Sequence, residues 1–446
     1  MIHKFERNGK YIVLDVNSGV LHVVAASVFR VLDFFHNGHG DLDKALANLG
    51  GEFYEDEIRL AHKEINELIN EKLLFSADIY KEADAAPSGI VKALCLLVAQ
   101  SCNLQCRYCF AVDYTSCGDS DTALMSTDVG KAAIDFLLAN SGNRRNLEVD
   151  FFGGEPLLNW DTVVEIVRYG RDREKEFGKN IRFTLTTNGV LLDSEKMDFI
   201  NRHISNIVLS LDGRREVNDP MRGGGTYDVL VPAFKQIAES RNQDNYYIRG
   251  TFTAKNLDFA NDVKHIADLG FRQISVEPII GGGADLELRV EHLVEIKEEY
   301  WRLADIMIKN PEAFNFFHFN IDLNGGPCAK KRINGCGAGT EYLAIAANGA
   351  MYPCHQFADK PEFILGSLAV DNTDYKNTKI NDRFAQTNIY GIEKCRTCWG
   401  RFFCGGGCAA NAYVTNGDLC SPYEIGCEMQ LARTECALYI KAARSS

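Results

Sequence analysis

Ser-Cys-Asn-Leu-Gln-Cys-Arg-Tyr-Cys-Phe, residues 101–110, is the stretch that decides the fold of this 446-residue chain. It sets Cys102, Cys106 and Cys109 in the spacing C-x3-C-x2-C, directly after a predicted strand at 92–99. Three thiolates on one loop can bind three irons of a 4Fe–4S cluster and leave the fourth iron open. The spacing alone also permits a zinc site with Cys117 as a fourth ligand, or chance clustering of cysteines.

Composition and charge limit the class of protein. The chain is 46% hydrophobic and 24% charged, which is typical of soluble globular proteins. Its net charge of −13 disfavours nucleic acid and anionic membrane surfaces as partners. No apolar stretch is long enough to span a bilayer, and the N-terminus lacks the apolar core of a signal peptide. We therefore expect a cytoplasmic protein, in which fifteen cysteines indicate metal or redox chemistry rather than disulfides.

Strand and helix patterns alternate from about residue 92 to residue 282. Helical periodicity fills the gaps between the strands, so the sequence predicts an α/β fold with a parallel sheet, doubly wound or barrel-like. The predicted strands are 92–99, 147–152, 181–187, 206–211, 247–253 and 273–278.

Short glycine-rich or polar motifs follow several of these strands. They are Gly153-Gly-Glu-Pro156, Thr187-Asn-Gly189 and Ser210-Leu-Asp-Gly213. In a parallel barrel, functional residues gather at the carboxyl ends of the strands. Together with the cysteine motif, this order of residues resembles the radical S-adenosylmethionine (SAM) superfamily over roughly residues 92–282.

The resemblance implies a partial (β/α)6 TIM-like barrel and reductive cleavage of SAM. The cluster on Cys102, Cys106 and Cys109 would donate one electron, and the resulting 5′-deoxyadenosyl radical would abstract a hydrogen atom from the substrate. The residues that the resemblance assigns to SAM are Tyr108, Gly153, Gly154, Glu155, Asn188, Ser210, Asp212, Arg222 and Ile279.

A second group of cysteines occupies the last third of the chain. Cys336 is followed after twelve residues by Gly349-Ala-Met-Tyr-Pro-Cys354, and then by Cys395-x2-Cys398-x5-Cys404-x3-Cys408 and Cys427. This spacing resembles the SPASM domain and implies two auxiliary 4Fe–4S clusters, three clusters in all. By family topology, one auxiliary cluster takes Cys336, Cys354 and Cys408, and the other takes Cys395, Cys398, Cys404 and Cys427.

The fourth ligand of the first auxiliary cluster is the open question in this assignment. Cys328, eight residues before Cys336, is the candidate. Without it, that cluster has a vacant iron that a substrate thiolate could occupy. Cys420 competes with Cys427 as a ligand, and two structural zinc sites remain the alternative for the whole region. Because the segment has little periodicity, we expect metals rather than a large core to hold it together.

Residues 1–80 predict a small separate unit with a hairpin followed by three helices. Their order and their place before the barrel resemble the winged-helix-like PqqD-type domains that bind the leader of a ribosomal precursor peptide. Eight Lys and Arg against thirteen Asp and Glu leave this unit with a net charge of −5, which disfavours a DNA-binding winged helix. A structural cap is the other alternative.

Five segments follow from these patterns. The PqqD-like unit at 1–80 is joined by a linker, 81–91, to the barrel at 92–285. A bridging helical segment at 286–325 leads to the SPASM domain at 326–446.

The resemblance is closest to the maturases of SCIFF peptides, which are Cys-rich. It implies a thioether bond from a peptide cysteine sulfur to a carbon of a nearby threonine, with an electron donor such as ferredoxin or flavodoxin. His355, directly after Cys354, is a candidate base; a surface or supporting histidine is the alternative.

Four other functions stay open at this point, one of which is another kind of SPASM peptide-modifying enzyme. Anaerobic sulfatase maturases oxidise a Ser or Cys to formylglycine, but in that subgroup an Asp stands where this chain has His355. An iron–sulfur electron carrier or a leader-binding scaffold would be non-catalytic. Neither would need the Gly-Gly-Glu-Pro motif, the Ser-Leu-Asp-Gly stretch and Arg222 together.

Overall fold

A computed structural model describes residues 1–81, 89–111, 124–322, 329–358, 360–368 and 378–444. Two cysteines of the sequence analysis, Cys117 and Cys328, lie outside these ranges, as does most of the predicted linker.

The N-terminal unit contains a three-stranded antiparallel sheet, β1 (Ile2–Arg7), β2 (Lys10–Asp15) and β3 (Leu21–Val24), in the order β1-β2-β3. The sequence analysis predicted the β2–β3 hairpin and missed β1. The remaining elements are three helices and a small two-stranded ribbon: α1 (Ala26–Val31), β4 (Phe35–His36), β5 (His39–Gly40), α2 (Leu42–Leu49) and α3 (Glu55–Asn70).

The centre of the protein is a parallel sheet whose strands match the six predicted ones to within one or two residues. Its first strand is buried along its whole length, as expected of an apolar strand covered on both faces. The six strands are β6 (Ala93–Ala99), β7 (Asn146–Gly153), β8 (Asn180–Thr187), β9 (Asn206–Ser210), β10 (Tyr246–Phe252) and β11 (Gln273–Pro278).

Both edges of this sheet are extended, and the order is β12-β11-β10-β9-β8-β7-β6-β13-β14-β15. No pairing among the described residues joins the two outermost strands, so the sheet is a partial barrel rather than a closed one. The added strands are β12 (Asn315–Phe316), β13 (Tyr342–Ile345), β14 (Ala350–Tyr352) and β15 (Gly366–Ser367).

Helices cross over between the parallel strands. Capping side chains begin several of them; for example, Ser126 accepts the Val129 N–H and Asp193 accepts the Lys196 N–H. These helices are α4 (Thr127–Asn140), α5 (Trp160–Phe177), α6 (Ser194–His203), α7 (Arg215–Arg222), α8 (Thr226–Ser240) and α9 (Phe259–Asp268).

The last third of the chain does build a substantial core, contrary to expectation. A long bridging helix, α10 (Leu293–Lys309), begins seven residues later than predicted and packs against a C-terminal helix whose apolar side is buried. Because that helix joins the main core, metals alone do not hold the region together. The helices after α10 are α11 (Ala329–Asn334), α12 (Thr378–Ala385), α13 (Glu393–Arg396), α14 (Arg401–Cys404), α15 (Ala409–Asn416) and α16 (Glu424–Arg444).

The N-terminal unit is fastened to the cysteine-rich region by a buried ion pair. The Arg401 guanidinium donates to the Asp78 carboxylate at 2.9 Å and to the Asn17 side chain at 2.8 Å. The His3 and Trp399 rings stack with centroids 3.6 Å apart. Apolar residues of β2, such as Leu14, share a small core with residues of the last third.

No helix in the described ranges has both the length and the apolar character that crossing a membrane requires.

Asp78→Ala should lower the melting temperature of the protein by roughly 5 °C or more. It would leave the buried Arg401 charge without its carboxylate, which costs about 3–5 kcal/mol. Asp172→Ala is the matched control, because its pair with Lys175 is exposed on both sides and is worth about 0–1 kcal/mol. Equal shifts for the two variants would show that Asp78 does not fasten the N-terminal unit.

Candidate functional site: two cysteine groups joined by a cavity

A cavity of about 300 Å³ opens at the carboxyl ends of the parallel strands. Eleven of the residues predicted for the site line it: Cys102, Cys106, Tyr108, Cys109, Gly153, Gly154, Asn188, Ser210, Arg222, Ile279 and His355. The sequence motifs after the separate strands therefore meet at one place.

The Gly-Gly-Glu-Pro motif holds the cysteine loop in position. The Gly154 N–H donates to the Ala99 carbonyl at 2.7 Å, and the Glu155 N–H donates to the Ser101 carbonyl at 2.9 Å. A Cβ at position 154 would lie 2.2 Å from the Ser101 oxygen. Only glycine permits this close approach of two backbones.

Glu155 and Asp212, which the resemblance assigns to SAM, are held by partners within the protein. Both side chains are fully buried behind the cavity wall. The Glu155 carboxylate accepts hydrogen bonds from the Leu157 N–H, the Thr187 hydroxyl and the Asn188 N–H, at 2.7–3.0 Å. It therefore braces the ends of two strands, and burial raises its pKa.

Asp212 is the centre of a second buried network. Its carboxylate accepts from the Tyr108 hydroxyl at 2.7 Å, from Nε of Arg222 at 3.0 Å and from the Thr251 N–H at 3.0 Å. Arg222 also lies 5.6 Å from the centre of the Tyr108 ring. Asp212 thus fixes two residues of the cavity wall, and Arg222 donates to both oxygens of this carboxylate through two of its nitrogens.

The thiols of Cys102, Cys106 and Cys109 lie close enough to affect one another's ionisation. Burial, opposed by the charge of Arg222 and assisted by the neighbouring thiolates of Cys109 and Cys102, raises the pKa of Cys106 to about 11. Burial also raises the pKa of Cys102, partly offset by the Leu104 N–H that donates to its sulfur. Three thiolates gathered in this way favour a positively charged group between them.

The later cysteines fall into two sets in the structure. Cys354, Cys336 and Cys408 form the first set. Burial raises the pKa of Cys354 well above its usual value, and the thiolates of Cys408 and Cys336 raise it further. Burial likewise raises the pKa of Cys408, and Cys336 adds to that rise.

Cys395, Cys398, Cys404 and Cys427 form the second set. Burial and, to a smaller extent, the thiolates of the other three raise the pKa of Cys395 to about 12. Cys420 has different charged neighbours, Asp418 and Arg383, so the structure groups Cys427 rather than Cys420 with these thiols.

His355 lies in the cavity wall between the first cysteine motif and the first later set. Its Nδ1 is 3.3 Å from the Tyr342 hydroxyl, and its ring centre is 4.8 Å from that of Phe152. Burial and the charge of Arg249 lower the pKa of His355 to about 4. The imidazole is therefore neutral at neutral pH and is a weak base.

A second cavity of about 380 Å³ adjoins the first and reaches Cys404, Cys408 and Cys427. The sequence motifs did not predict Arg249, Glu277 and Asn411, which line both cavities. Polar residues inside the predicted strands 247–253 and 273–278 were the signal that could have identified the first two. The shared residues are Arg249, Glu277, Pro278, Ile280, Gln356 and Asn411.

Glu277 is part of a buried polar cluster at this junction. His318 Nε2 lies 3.5 Å from its carboxylate, and the Ser275 hydroxyl donates to it at 3.2 Å. The charges of His318, Arg249 and Arg433 outweigh the effect of burial and lower the pKa of Glu277 to about 2.

Among the described residues, no group of three or more His, Cys, Asp or Glu is arranged to hold a single metal ion.

Comparison with known proteins assigns the barrel. Residues 96–263 match the family model of the Radical SAM superfamily. The chain contains a radical SAM domain. Mycofactocin maturase MftC of Mycolicibacterium smegmatis is 26% identical to it over 353 residues, which cover 75% of this chain and 82% of that protein.

Solved structures show the same fold over a larger part of the chain. Native anSMEcpe with bound AdoMet and Cp18Cys peptide has a TM-score of 0.64 at 19% identity, over 80% of this chain and 99% of that one. Streptococcus suis SuiB bound to precursor peptide SuiA has a TM-score of 0.51 at 15% identity, over 95% of this chain and 98% of that one.

Gly154→Ala should weaken SAM binding about tenfold or more. The added methyl group would displace Ser101 and Cys102, and overpacking of this kind costs about 1–3 kcal/mol. The dissociation constant is measured by equilibrium dialysis on anaerobically reconstituted protein. Gly224→Ala is the control, because a Cβ there meets nothing within 4 Å. Unchanged affinity in Gly154→Ala would contradict the role given to the close backbone approach.

Proposed function

We propose that this protein is a radical SAM enzyme that joins a cysteine sulfur to a carbon of a nearby threonine in a ribosomally made, Cys-rich precursor peptide. The observation that carries the proposal is the pair of adjoining cavities. One is lined by Cys102, Cys106 and Cys109, and the other by Cys404, Cys408 and Cys427. A peptide in the space shared by the two cavities would lie between the first cysteine motif and the later cysteines.

The first three cysteines would hold a 4Fe–4S cluster, and the cavity beside them would hold SAM. The mutually repelling thiolates suit a positively charged cluster, and the cavity beside them has room for a bound cofactor. When bound, it supplies a 5′-deoxyadenosyl radical that removes a hydrogen atom from the peptide. The wall residues Tyr108, Asn188, Ser210 and Arg222 would orient SAM, while Asp212 and Glu155 would act from behind by fixing Arg222 and Asn188.

The two later sets of cysteines would hold auxiliary 4Fe–4S clusters. The grouping of their thiols supports the sets Cys336, Cys354, Cys408 and Cys395, Cys398, Cys404, Cys427. Cys328 is the candidate for the fourth ligand of the first set. The thioether bond forms as the peptide loses one hydrogen atom, one proton and one electron. The cluster on the first set would accept the electron.

His355 would stand beside the peptide thiol. A neutral imidazole can accept a proton, but a pKa of about 4 makes it a poor base for a thiol. Its contact with Tyr342 and its place in the wall give it a second use, which is to position the substrate sulfur.

A peptide partner is supported by the relatives. MftC is named a maturase, and the SuiB and anSMEcpe structures carry bound peptides. The N-terminal unit would bind the leader as an added strand at the outer edge of β3, which pairs only with β2 among the described residues. Ferredoxin or flavodoxin would reduce the first cluster.

Anaerobically reconstituted protein given SAM and dithionite should form 5′-deoxyadenosine. Replacing Cys102, Cys106 and Cys109 together by Ala should abolish this, whereas Cys420→Ala should not. Absence of 5′-deoxyadenosine with the unaltered protein would overturn the enzyme assignment.

The modified peptide distinguishes the reaction type. A thioether product has lost two hydrogen atoms and one alkylatable thiol, and mass spectrometry after iodoacetamide treatment measures both. A peptide that carries formylglycine would instead support the sulfatase-maturase alternative. A product whose cysteines are all still alkylatable would rule out the thioether.

Val23→Pro should abolish leader binding without unfolding the N-terminal sheet. The Asp15 N–H donates to the Val20 carbonyl, so pairing alternates along the hairpin and the Val23 N–H points away from β2. Proline removes that donor from the free edge. Fluorescence anisotropy with the peptide encoded beside this gene measures the affinity, and Val23→Thr is the control. Equal affinity in both variants would exclude strand addition at β3.

A further inference from the structure

Arg249 lies in the middle of β10 and faces the space shared by the two cavities. Its neighbours in the register are Ser210 on β9 and Ser275 on β11. The residues before and after it, Ile248 and Gly250, are buried, whereas Arg249 is exposed. Interior positions of parallel barrels are normally filled by packed side chains. A long charged side chain that is exposed to solvent inside the barrel is therefore unusual, and we expect it to have a ligand.

Among the described residues, Arg249 differs from the other arginines of the cavities because it has no hydrogen-bond or ion-pair partner. Among the residues that the structure describes, it donates no hydrogen bond and forms no ion pair within 4 Å. Arg222 is held by Asp212, and Arg433 donates to the Tyr300 hydroxyl at 2.8 Å. Glu277, on whose carboxylate the charge of Arg249 acts, is engaged by His318 and Ser275.

Arg249 and Arg222 act on different parts of the site. Arg222 is the cation whose charge acts on Cys106. The charge of Arg249 acts instead on Glu277 and on His355, which adjoins Cys354. Arg249 pairs with Ser210 and lines the first cavity, but it also lines the second cavity, which Arg222 does not. It therefore faces the space into which the peptide would extend beyond SAM.

We propose that Arg249 binds a carboxylate of the peptide that is modified, and that this contact sets the register of the peptide between the two groups of cysteines. This rests on the proposed function. The planar guanidinium matches a carboxylate with two parallel hydrogen bonds. A neutral backbone carbonyl would leave the charge of Arg249 uncompensated. The carboxylate belongs either to an acidic side chain near the reacting cysteine or to the peptide C-terminus.

The test compares matched peptides on anaerobically reconstituted protein. Synthetic Cys-rich candidate precursor peptides carry Glu or Gln, and Asp or Asn, at each acidic position, and a free or amidated C-terminus. Fluorescence anisotropy without SAM gives their dissociation constants. A charge-assisted contact worth about 1.5–3 kcal/mol predicts that one acidic group improves binding roughly 10- to 100-fold.

Arg249→Gln should abolish this discrimination and leave the affinity for SAM unchanged, and Arg249→Lys should keep part of it. Arg182→Gln is the control, because Arg182 is an exposed arginine on β8 outside both cavities. Which arm loses affinity, the side-chain amides or the amidated C-terminus, identifies the carboxylate.

Three results would overturn the inference. One is unaltered protein that modifies the peptide but binds acid and amide forms equally. Another is an Arg249→Gln variant that still discriminates. The third is a variant that loses SAM affinity, which would assign Arg249 to the cofactor. Failure of the proposed function is distinct, since unaltered protein would then form no 5′-deoxyadenosine.

Discussion

One buried carboxylate, that of Asp212, ties together the parts of the molecule that make the cavity. It lies after the fourth parallel strand and is bound by Tyr108 of the cysteine loop, Arg222 of α7 and the backbone of β10. A buried charge of this kind is stable only while all its partners are in place, and loss of one partner costs about 3–5 kcal/mol. The cysteine loop, the α7 end and β10 therefore hold one another in position, and the cavity wall is rigid where it faces the thiols.

The parallel strands were predictable because short stretches with regularly placed apolar residues, continuous in β6 and alternating in β7 and β8, lie between helical segments. Burial on both faces demands apolar residues along the whole of such a strand, as in β6. The strand-end motifs were predictable as well, since glycine at 154 is demanded by the close approach of Ser101. The sequence did not indicate which residues of those motifs face the cavity and which support its wall from behind. Glu155 looks like a ligand-binding residue in the sequence, and only its three partners show that it braces the wall.

Other elements escaped prediction for different reasons. The strand Ile2–Arg7 is half polar because one of its faces meets the C-terminal helix through contacts such as His3 with Glu435. The helix Glu424–Arg444 was not predicted because the last third of the chain was interpreted from its cysteines alone. Its buried residues belong to the main core. Arg249 and Glu277 are the one charged residue of β10 and of β11, and their role depends on neighbours that come together only in the fold. The later cysteines, in contrast, have the neighbouring thiols that the family resemblance implied, and their role as cluster ligands stays a prediction.

The contact between His3 and Trp399 has a consequence for how such chains can be recombined. Trp399 and Arg401 both belong to the loop between Cys398 and Cys404, and the partners of both lie in residues 1–81. The spacing of those thiols is thus supported from outside by a unit that is remote in sequence. A leader-binding unit taken from another chain would have to bring its own counterparts of residues 396–402. The boundary at which the two parts could be exchanged follows this packing surface rather than the predicted linker 81–91.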